Sequence, residues 1–425
     1  MNKGISSFIA IMFVGIISFS ANYGFAQNES TETIEQLIQE ALENNPQIQV
    51  ALNEWKAAEY KVRSVKGLPD PMVKYGHFGE SVETRVGPQE NVFGASQKIP
   101  FPGKLGLKGK SQGKHAEMLK ERYEAAKREV IKNVKFVYYD IFWVDKAIQT
   151  TEGEKAILES LEKVVQRRYE SNVTPQQDVI KAQVELSRLI EKLLLLRQNR
   201  KSLVAKLNSI LNRVRDSELG SITNAKLSSF EYEISQLREI AKGSRQELIA
   251  ANLNIERAEY EKSLARMEYL PDFTFGFDYI QVGSGETTMP NDGQDAWMGT
   301  VAVNIPIWFD KLNAQTKEKK AQLEAARKNY ENVGNSVTYE IEDLYFKILT
   351  YKDIISLYKT ALIPQSEQAF DAAKTSYETG KVDFLNWLDA ERILLQTRLA
   401  YYKAIADYQK SIAYLERVVG QDLPR

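Results

Sequence analysis

Apolar positions recur at alternating steps of three and four through most of this chain. The series Val179, Ala182, Leu186, Leu189, Leu193, Leu196, Leu203, Leu207 and Ile210 keeps that step without a slip, and only Arg200 is polar at its place. A period of 3.5 is what coiled-coil packing requires. Near the C-terminus the stripe Ala390, Leu394, Thr397, Tyr401, Ala404, Tyr408, Ser411, Leu415, Val418 runs beside a second one, Leu388, Leu395, Tyr402, Ile405, Ile412. Two stripes on one helix predict two helical neighbours, as in a sheet or tube of helices. Periodicity alone leaves open an ordinary antiparallel coiled coil with one wet face.

Helices are expected at about 34–67, 103–170, 176–213, 235–269, 311–378 and 384–419. Residues 103–170 contain no proline and, after Gly113, a single glycine, Gly153. A helix of that length spans roughly 100 Å at 1.5 Å per residue. The shorter helices of each half together match the long one. One long helix can run out while two shorter ones, end to end, fill the return path, which describes a cylinder of uniform height.

Between the helices the period changes to two. Phe273, Phe275, Phe277 and Tyr279 alternate with Thr274, Gly276 and Asp278, and after the polar turn Ser284–Gln294 the residues Trp297, Gly299, Val301, Val303 and Ile305 alternate with Met298, Thr300, Ala302 and Asn304. The first half is weaker: Met72–Phe78 and Val92–Ile99 are expected to flank a loop over Gly79–Asn91, with Tyr75, Phe78, Phe93 and Ile99 apolar. Strands are thus expected within about 71–99 and about 272–305. About ten alternating residues is the length of a membrane-spanning strand. Trp297 at one end and Phe101, Trp308 and Phe309 at the other are placed as interfacial aromatics. The competing reading is a soluble hairpin pair packed on the helices. In hydrocarbon, open sheet edges leave amides without partners, at several kcal/mol each, and four strands cannot close a barrel. Insertion therefore forces several copies to share one barrel. Pro100-Phe101-Pro102-Gly103 and Pro306-Ile307-Trp308-Phe309 sit where each strand must turn into a helix.

The halves repeat. Leu68-Pro69-Asp70 recurs as Leu270-Pro271-Asp272 at an offset of 202, and Ile99-Pro100 as Ile305-Pro306 at 206. Tyr169-Glu170 recurs as Tyr377-Glu378, and Ala182 as Ala390, both at 208. Four matches in order, with slowly growing offsets, indicate duplication. The division expected is 1–26, 27–219 and 220–425, the last two being the repeats. The first segment reads as a secretory signal peptide: Lys3, an uncharged stretch from Gly4 to Asn28 with its apolar centre at Ile9–Phe19, then Gly24 and Ala26 before a cut at Gln27.

Composition narrows the chemistry. Lys and Arg number 56 against 57 Asp and Glu, which argues against a nucleic-acid binder. With no cysteine and only His77 and His115, a thiol nucleophile and a multi-His metal centre are excluded. No Gly-rich phosphate loop and no Ser-His-Asp set is visible, so neither catalysis nor a cofactor is expected. Met72, Met289 and Met298 read as packing residues rather than metal ligands.

The duplicated layout, the two Leu-Pro-Asp motifs, Ser96-Gln97-Lys98-Ile99-Pro100-Phe101-Pro102-Gly103-Lys104, and the turns Arg168-Tyr169-Glu170-Ser171-Asn172-Val173 and Ser376-Tyr377-Glu378-Thr379-Gly380-Lys381 resemble the TolC family of outer-membrane efflux proteins. The Pro-Phe-Pro-Gly-Lys segment is similar to the heavy-metal-efflux branch. The resemblance implies a mainly α protein with a membrane β-barrel. It also implies a homotrimer in the outer membrane, with a periplasmic α-barrel and a shared 12-stranded barrel. It implies a passive exit duct that docks a periplasmic adaptor and, through it, an inner-membrane pump, carrying metal ions or drugs. By the same resemblance, adaptor contacts fall on Tyr169, Asn172, Val173, Thr174, Tyr377, Gly380, Lys381 and Val382, and the entrance constriction on Asp178, Asn386 and Asp389. The alternative is a periplasmic coiled-coil scaffold or adaptor with a soluble β-domain and no pore.

Overall fold

The computed structural model describes residues 32–424, apart from 216, 221, 223–226, 228, 286, 287 and 289. The leader expected at 1–26 and Met289 lie outside the described residues. The first repeat runs α1 (Ile34–Asn44), α2 (Pro46–Ser64), β1 (Met72–Thr84), β2 (Gly87–Ile99), α3 (Lys104–Glu170) and α4 (Gln176–Leu211). The second runs α5 (Ile234–Ser244), α6 (Gln246–Met267), β3 (Phe273–Val282), β4 (Ala296–Val303), α7 (Phe309–Leu357), a π-turn (Tyr358–Leu362), α8 (Ile363–Glu378) and α9 (Phe384–Val419).

Each repeat opens with two helices where one was expected. The first break is at Asn45, whose backbone is extended because it precedes Pro46. Its side-chain oxygen caps α2 by accepting from Gln47 N at 2.9 Å, and its amide donates to Ile210 O at 2.7 Å. The second break is at Arg245, again extended, whose Nη1 donates to Arg417 O at 2.6 Å. Both breaks thus hold the last turn of the returning helix, α4 or α9.

The second long helix is interrupted too. Pro364 falls inside the expected span 311–378 and lacks the N–H that an α-helix needs there. The backbone shifts one residue: Ile363 N donates to Tyr358 O, five residues back, which makes the π-turn.

α3 lies between two sets of neighbours, α2 and α4 of its own repeat and α6 and α9 of the other. α7 and α8 pack on α9, and α6 also packs on α7. Both α9 stripes are consequently buried, Leu388, Leu395, Ile405 and Ile412 as well as Leu394, Tyr408, Leu415 and Val418. The main core joins Val134, Val137 and Ile141 of α3 to Leu207, Ile341, Ile348 and Leu415. A buried ion pair, Lys135 Nζ to Glu416 Oε2 at 2.6 Å, crosses from α3 to α9 beside that core.

The strands form one antiparallel sheet in the order β1-β2-β3-β4. β1 and β2 extend far into the expected loop Gly79–Asn91, and the chain turns only between Thr84 and Gly87. Their outer residues are mostly polar, and a lone Val82 announced no apolar alternation. Gly87 makes the turn possible with φ 121°, and a Cβ there would lie 2.0 Å from Gly283 O.

Candidate tunnel tip and membrane sheet

The tip is built twice from one motif. α3 ends with Asn172 N donating to Tyr169 O at 2.9 Å and Val173 N to Arg168 O at 2.8 Å. α8 ends with Gly380 N donating to Tyr377 O at 3.0 Å and Lys381 N to Ser376 O at 2.8 Å. These are matching Schellman turns, with Asn172 at φ 58° and Gly380 at φ 72° in the left-handed position. Asn serves where Gly is usual because its short polar side chain tolerates that region.

Tyr169, Asn172, Val173, Gly380 and Lys381 are exposed on the two turns, while Thr174 and Val382 are half-buried. Tyr377 differs from its expected place on the docking surface. It is 3% exposed and packs its ring against Phe384 and Trp387, with centroids 5.9 and 5.2 Å away. It shapes the tip from within. Arg168, which the sequence did not single out, binds the two turns together. Its Nη1 donates to Tyr377 O at 2.8 Å and Glu378 O at 3.3 Å, and its guanidinium lies 4.8 Å from the Tyr377 ring centre. A cation on the last carbonyls of a helix also meets the negative end of the helix dipole.

The three entrance candidates separate. Asn386 and Asp389 are exposed on the first two turns of α9, which Asp383 caps by accepting from Asn386 N at 3.1 Å. Asp178 is turned into the tip, accepts from Thr174 Oγ1 at 2.7 Å, and has a side chain only 13% exposed. It stabilises the turn that carries it.

Deeper in the helices lies a carboxyl cluster that periodicity could not reveal. Glu154 of α3 and Glu391 of α9 are each 1% exposed. Arg398 reaches Glu154 at 3.1 Å, and Arg392 pairs with Glu185. Among the described residues Glu391 has no cation of its own at that range. Burial, then the charges of Glu154 and Glu185, push its carboxyl up to about 8. Glu154 is raised as well, by burial. Glu154 Oε2 and Glu391 Oε1 are buried without a donor. A protonated Glu391 beside Glu154 would supply the missing donor.

At the other end, the sheet has two unlike faces. The cross-strand row Tyr75, Phe93, Tyr279, Trp297 lies on one of them, with Val73, Phe275, Phe277, Val301 and Val303 on the same side. Tyr75 and Phe93 have ring centres 5.2 Å apart, and Phe277 stacks on Trp297 at 6.1 Å. All nine are exposed, Trp297 at 71%. Among the described residues no helix covers them. The opposite face carries the row Lys74, Gly94, Asp278, where Lys74 Nζ meets Asp278 Oδ1 at 2.7 Å. The pair spans Gly94, at which a Cβ would stand 2.2 Å from Asp278 Oδ1 and 2.4 Å from Lys74 Cε. An apolar patch of this extent is rare on a water-facing surface.

Trp308 (73% exposed) and Phe309 stand beyond the far end of β4 from Trp297. Phe101 is half-buried, and its N–H donates to Asp272 Oδ1 at 3.0 Å. Asp272 also takes Lys104 Nζ at 2.9 Å and Lys98 Nζ at 3.1 Å. Burial raises the Asp272 carboxyl, but Lys104, the Phe101 amide and Lys98 more than offset it and bring it to about 2. This clasp fixes the angle between sheet and helix, and the repeated Leu-Pro-Asp motif was its only sequence signal. Met72 and Met298 lie on the two outer strands of the sheet, with β2 and β3 between them. Among the described residues no helix is long and apolar enough to cross a membrane.

A family model described as outer membrane efflux protein matches residues 37–213 and 237–421. The cobalt-zinc-cadmium resistance protein CzcC of Cupriavidus metallidurans is 22% identical over 402 residues, covering 92% of this chain and 90% of that protein. The outer membrane protein TolC of Vibrio cholerae is 21% identical over 401 residues, covering 92% and 91%. The crystal structure of the outer membrane protein VceC of Vibrio cholerae has the same fold, with TM-score 0.77 at 17% identity over 92% of this chain and 96% of that one.

Proposed function

Since the chain belongs to the outer membrane efflux protein family, whose members are outer-membrane channels and not enzymes, we propose that it is the passive exit duct of a tripartite export system. In this reading a homotrimer pools its strands in one lipid-embedded barrel. Its helices form the periplasmic tunnel, and its tip turns dock an adaptor that links it to an inner-membrane pump. The observation that carries the reading is the sheet: one face carries an exposed patch of aromatic and aliphatic side chains, the other carries the Lys74–Asp278 pair, and among the described residues both edges are unpaired. Lipid on the first face, water on the second and further strands at the edges satisfy all three features at once. A soluble β-domain on a scaffold leaves the aromatic face without a purpose.

Within this duct Trp297, Trp308 and Phe309 mark the two interfaces of the membrane. Tyr169, Asn172, Val173 and Lys381 present the docking surface, and Asp389 beside Asn386 lines the entrance. Threefold repetition of Asp389 makes an acidic ring that favours cations. Of metal ions and drugs, metal ions are the better supported cargo, since a relative named for cobalt, zinc and cadmium resistance aligns along nearly the whole chain.

The test is conductance of the purified protein in a planar bilayer, with its mass in detergent. A trimer giving discrete cation-preferring steps, with the preference weakened by Asp389→Asn, is the expected result. A monomer that leaves the bilayer silent would refute the duct. Sensitivity of a deletion strain to zinc or cobalt, against its sensitivity to drugs, decides the cargo.

A further inference from the structure

The two repeats of one chain meet along a seam. There β2 pairs with β3, and Asp272 of the second repeat clasps Lys104 at the strand-to-helix join of the first. Lys104 Nζ also reaches Leu270 O at 2.9 Å and Glu268 at 3.5 Å. The outer edges, β1 and β4, carry the same parts without partners.

The repeats are in register. An offset of 202 carries β1 onto β3 and one of 206 carries β2 onto β4, so the pair Met72–Ser96 becomes Thr274–Ala302, which is the pairing seen. The same offsets applied to the inner seam generate an outer one. Ala95 opposite Phe277 becomes Val301 opposite Tyr75, and Gln97 opposite Phe275 becomes Val303 opposite Val73. At the joins, Pro306-Ile307-Trp308-Phe309-Asp310-Lys311-Leu312 is one residue longer than Pro100-Phe101-Pro102-Gly103-Lys104-Leu105, so Lys311 stands for Lys104. Asp70 stands for Asp272. Asp70 and Lys311 are both exposed.

We infer that a second copy of this chain docks its β1 edge on β4 with Val73 opposite Val303 and Tyr75 opposite Val301, and that Lys311 of one copy binds Asp70 of the next as Lys104 binds Asp272. This rests on the reading that copies share one barrel.

Three independent features fit. All four side chains of the paired rows fall on the aromatic face, and a one-residue slip would turn one row to the polar side. The charges at the join are opposite. The helices are short of partners in the complementary way: α3 packs on α2 and α4 of its own repeat and on α6 and α9 of the other, but among the described residues α7 and α8 pack on helices of their own repeat alone, and a next copy's α2 and α4 would take the open side. Tyr339, Phe346 and Leu357 are exposed on α7, and Tyr60, Leu194 and Leu195 on α2 and α4. Lys66 stands where the second repeat has Glu268, so Lys311 meets one carboxylate where Lys104 meets two.

The chain has no cysteine, so introduced pairs report alone. Directly opposed Cβ atoms lie about 5 Å apart, within disulfide reach, and diagonal ones about 7–8 Å. In outer membranes under an apolar oxidant, V73C/V303C is expected to give covalent oligomers that reductant collapses, several-fold above the diagonal control V73C/V301C. Equal yields, or a reversed order, overturn the register. No cross-link in particles of oligomeric mass places the seam elsewhere while the shared barrel survives, and monomeric mass removes both. D70K and K311D are each expected to lower the temperature at which the oligomer falls apart in dodecyl sulfate, and D70K/K311D to restore part of it. Single variants that leave that temperature unchanged overturn the ion pair.

Discussion

Replacing Glu391 with glutamine is expected to flatten the pH dependence of stability between about pH 5 and 8. In the folded protein this carboxyl is raised from 4.5 to about 8, because burial and the neighbouring Glu154 and Glu185 penalise its charge. The native state therefore keeps a proton that the unfolded chain loses near 4.5. Stability is full below that value and declines as pH climbs toward 8, since the unfolded state gains from ionising and the folded state does not. At 1.36 kcal/mol per pH unit, the loss is about 3 kcal/mol at pH 7 and on the order of 4 kcal/mol at pH 8. Gln keeps the shape and the hydrogen-bonding donor toward Glu154 but has nothing to ionise.

Thermal unfolding followed by circular dichroism in detergent, at pH 5, 6, 7 and 8, reads the difference. With about 1–2 °C per kcal/mol for a chain of this size, Glu391→Gln melts roughly 4–8 °C above the parent at pH 8, and the gap closes near pH 5. Glu154→Gln removes the like charge facing Glu391 and so makes the slope shallower. Parallel curves for the parent and Glu391→Gln, or a parent midpoint constant across the window, would refute the account of a proton held between the two carboxyls.

Three further substitutions probe other parts of the structure. Arg168→Ala removes the donor to Tyr377 O and Glu378 O, at about 1–2 kcal/mol, and loosens the tip; a rise in mean bilayer conductance is expected, and an unchanged trace speaks against the clasp. Lys135→Met takes the cation from Glu416 at 2.6 Å and is expected to cost about 3–5 kcal/mol, measured as a lower melting midpoint. Gly94→Ala drives a methyl into the Lys74–Asp278 pair and is expected to lower the yield of assembled protein in the outer membrane while the far-ultraviolet helix signal persists; normal assembly would show that the pair can bend around a side chain.

Elements whose burial depends on period were legible. The α9 stripes predicted two neighbours, and α3 and the pair α7 and α8 occupy those places. β3 and β4 were visible because apolar residues alternate along them, Phe273, Phe275, Phe277 and Tyr279 on β3 and Trp297, Val301 and Val303 on β4. β1 and β2 were visible only in their lower halves, since beyond Phe78 and before Asn91 the strands are mostly polar and Val82 alone makes no alternation. The break at Asn45 has a proline after it, whereas the break at Arg245 is marked only by Gly243-Ser244 before it and is sustained by a tertiary bond to Arg417 O. At the tip, the positions of the turns followed from helix ends and left-handed residues. The burial of Tyr377 and the inward turn of Asp178 did not, because both depend on which helix lies alongside. Glu154 and Glu391 were hidden for a stronger reason. Glutamate in a long helix reads as a solvated face unless a second helix is known to cover it.

Duplication explains why the two seams need not be equally strong. Inside one chain the repeats are tethered, so the β2–β3 seam forms at an effective concentration far above that of free copies. Between copies nothing supplies that concentration, yet the first repeat has Lys66 where Glu268 would add a second carboxylate to the clasp. The missing attraction has to come from area. Tyr339, Phe346 and Leu357 on one side and Tyr60, Leu194 and Leu195 on the other are the exposed apolar groups placed to provide it, at about 25 cal/mol for each Å² they bury. The edges of the sheet add a term that exists only in lipid, where every unpaired amide is costly. Under the proposed shared barrel, the outer seam is therefore expected to be strongest after insertion.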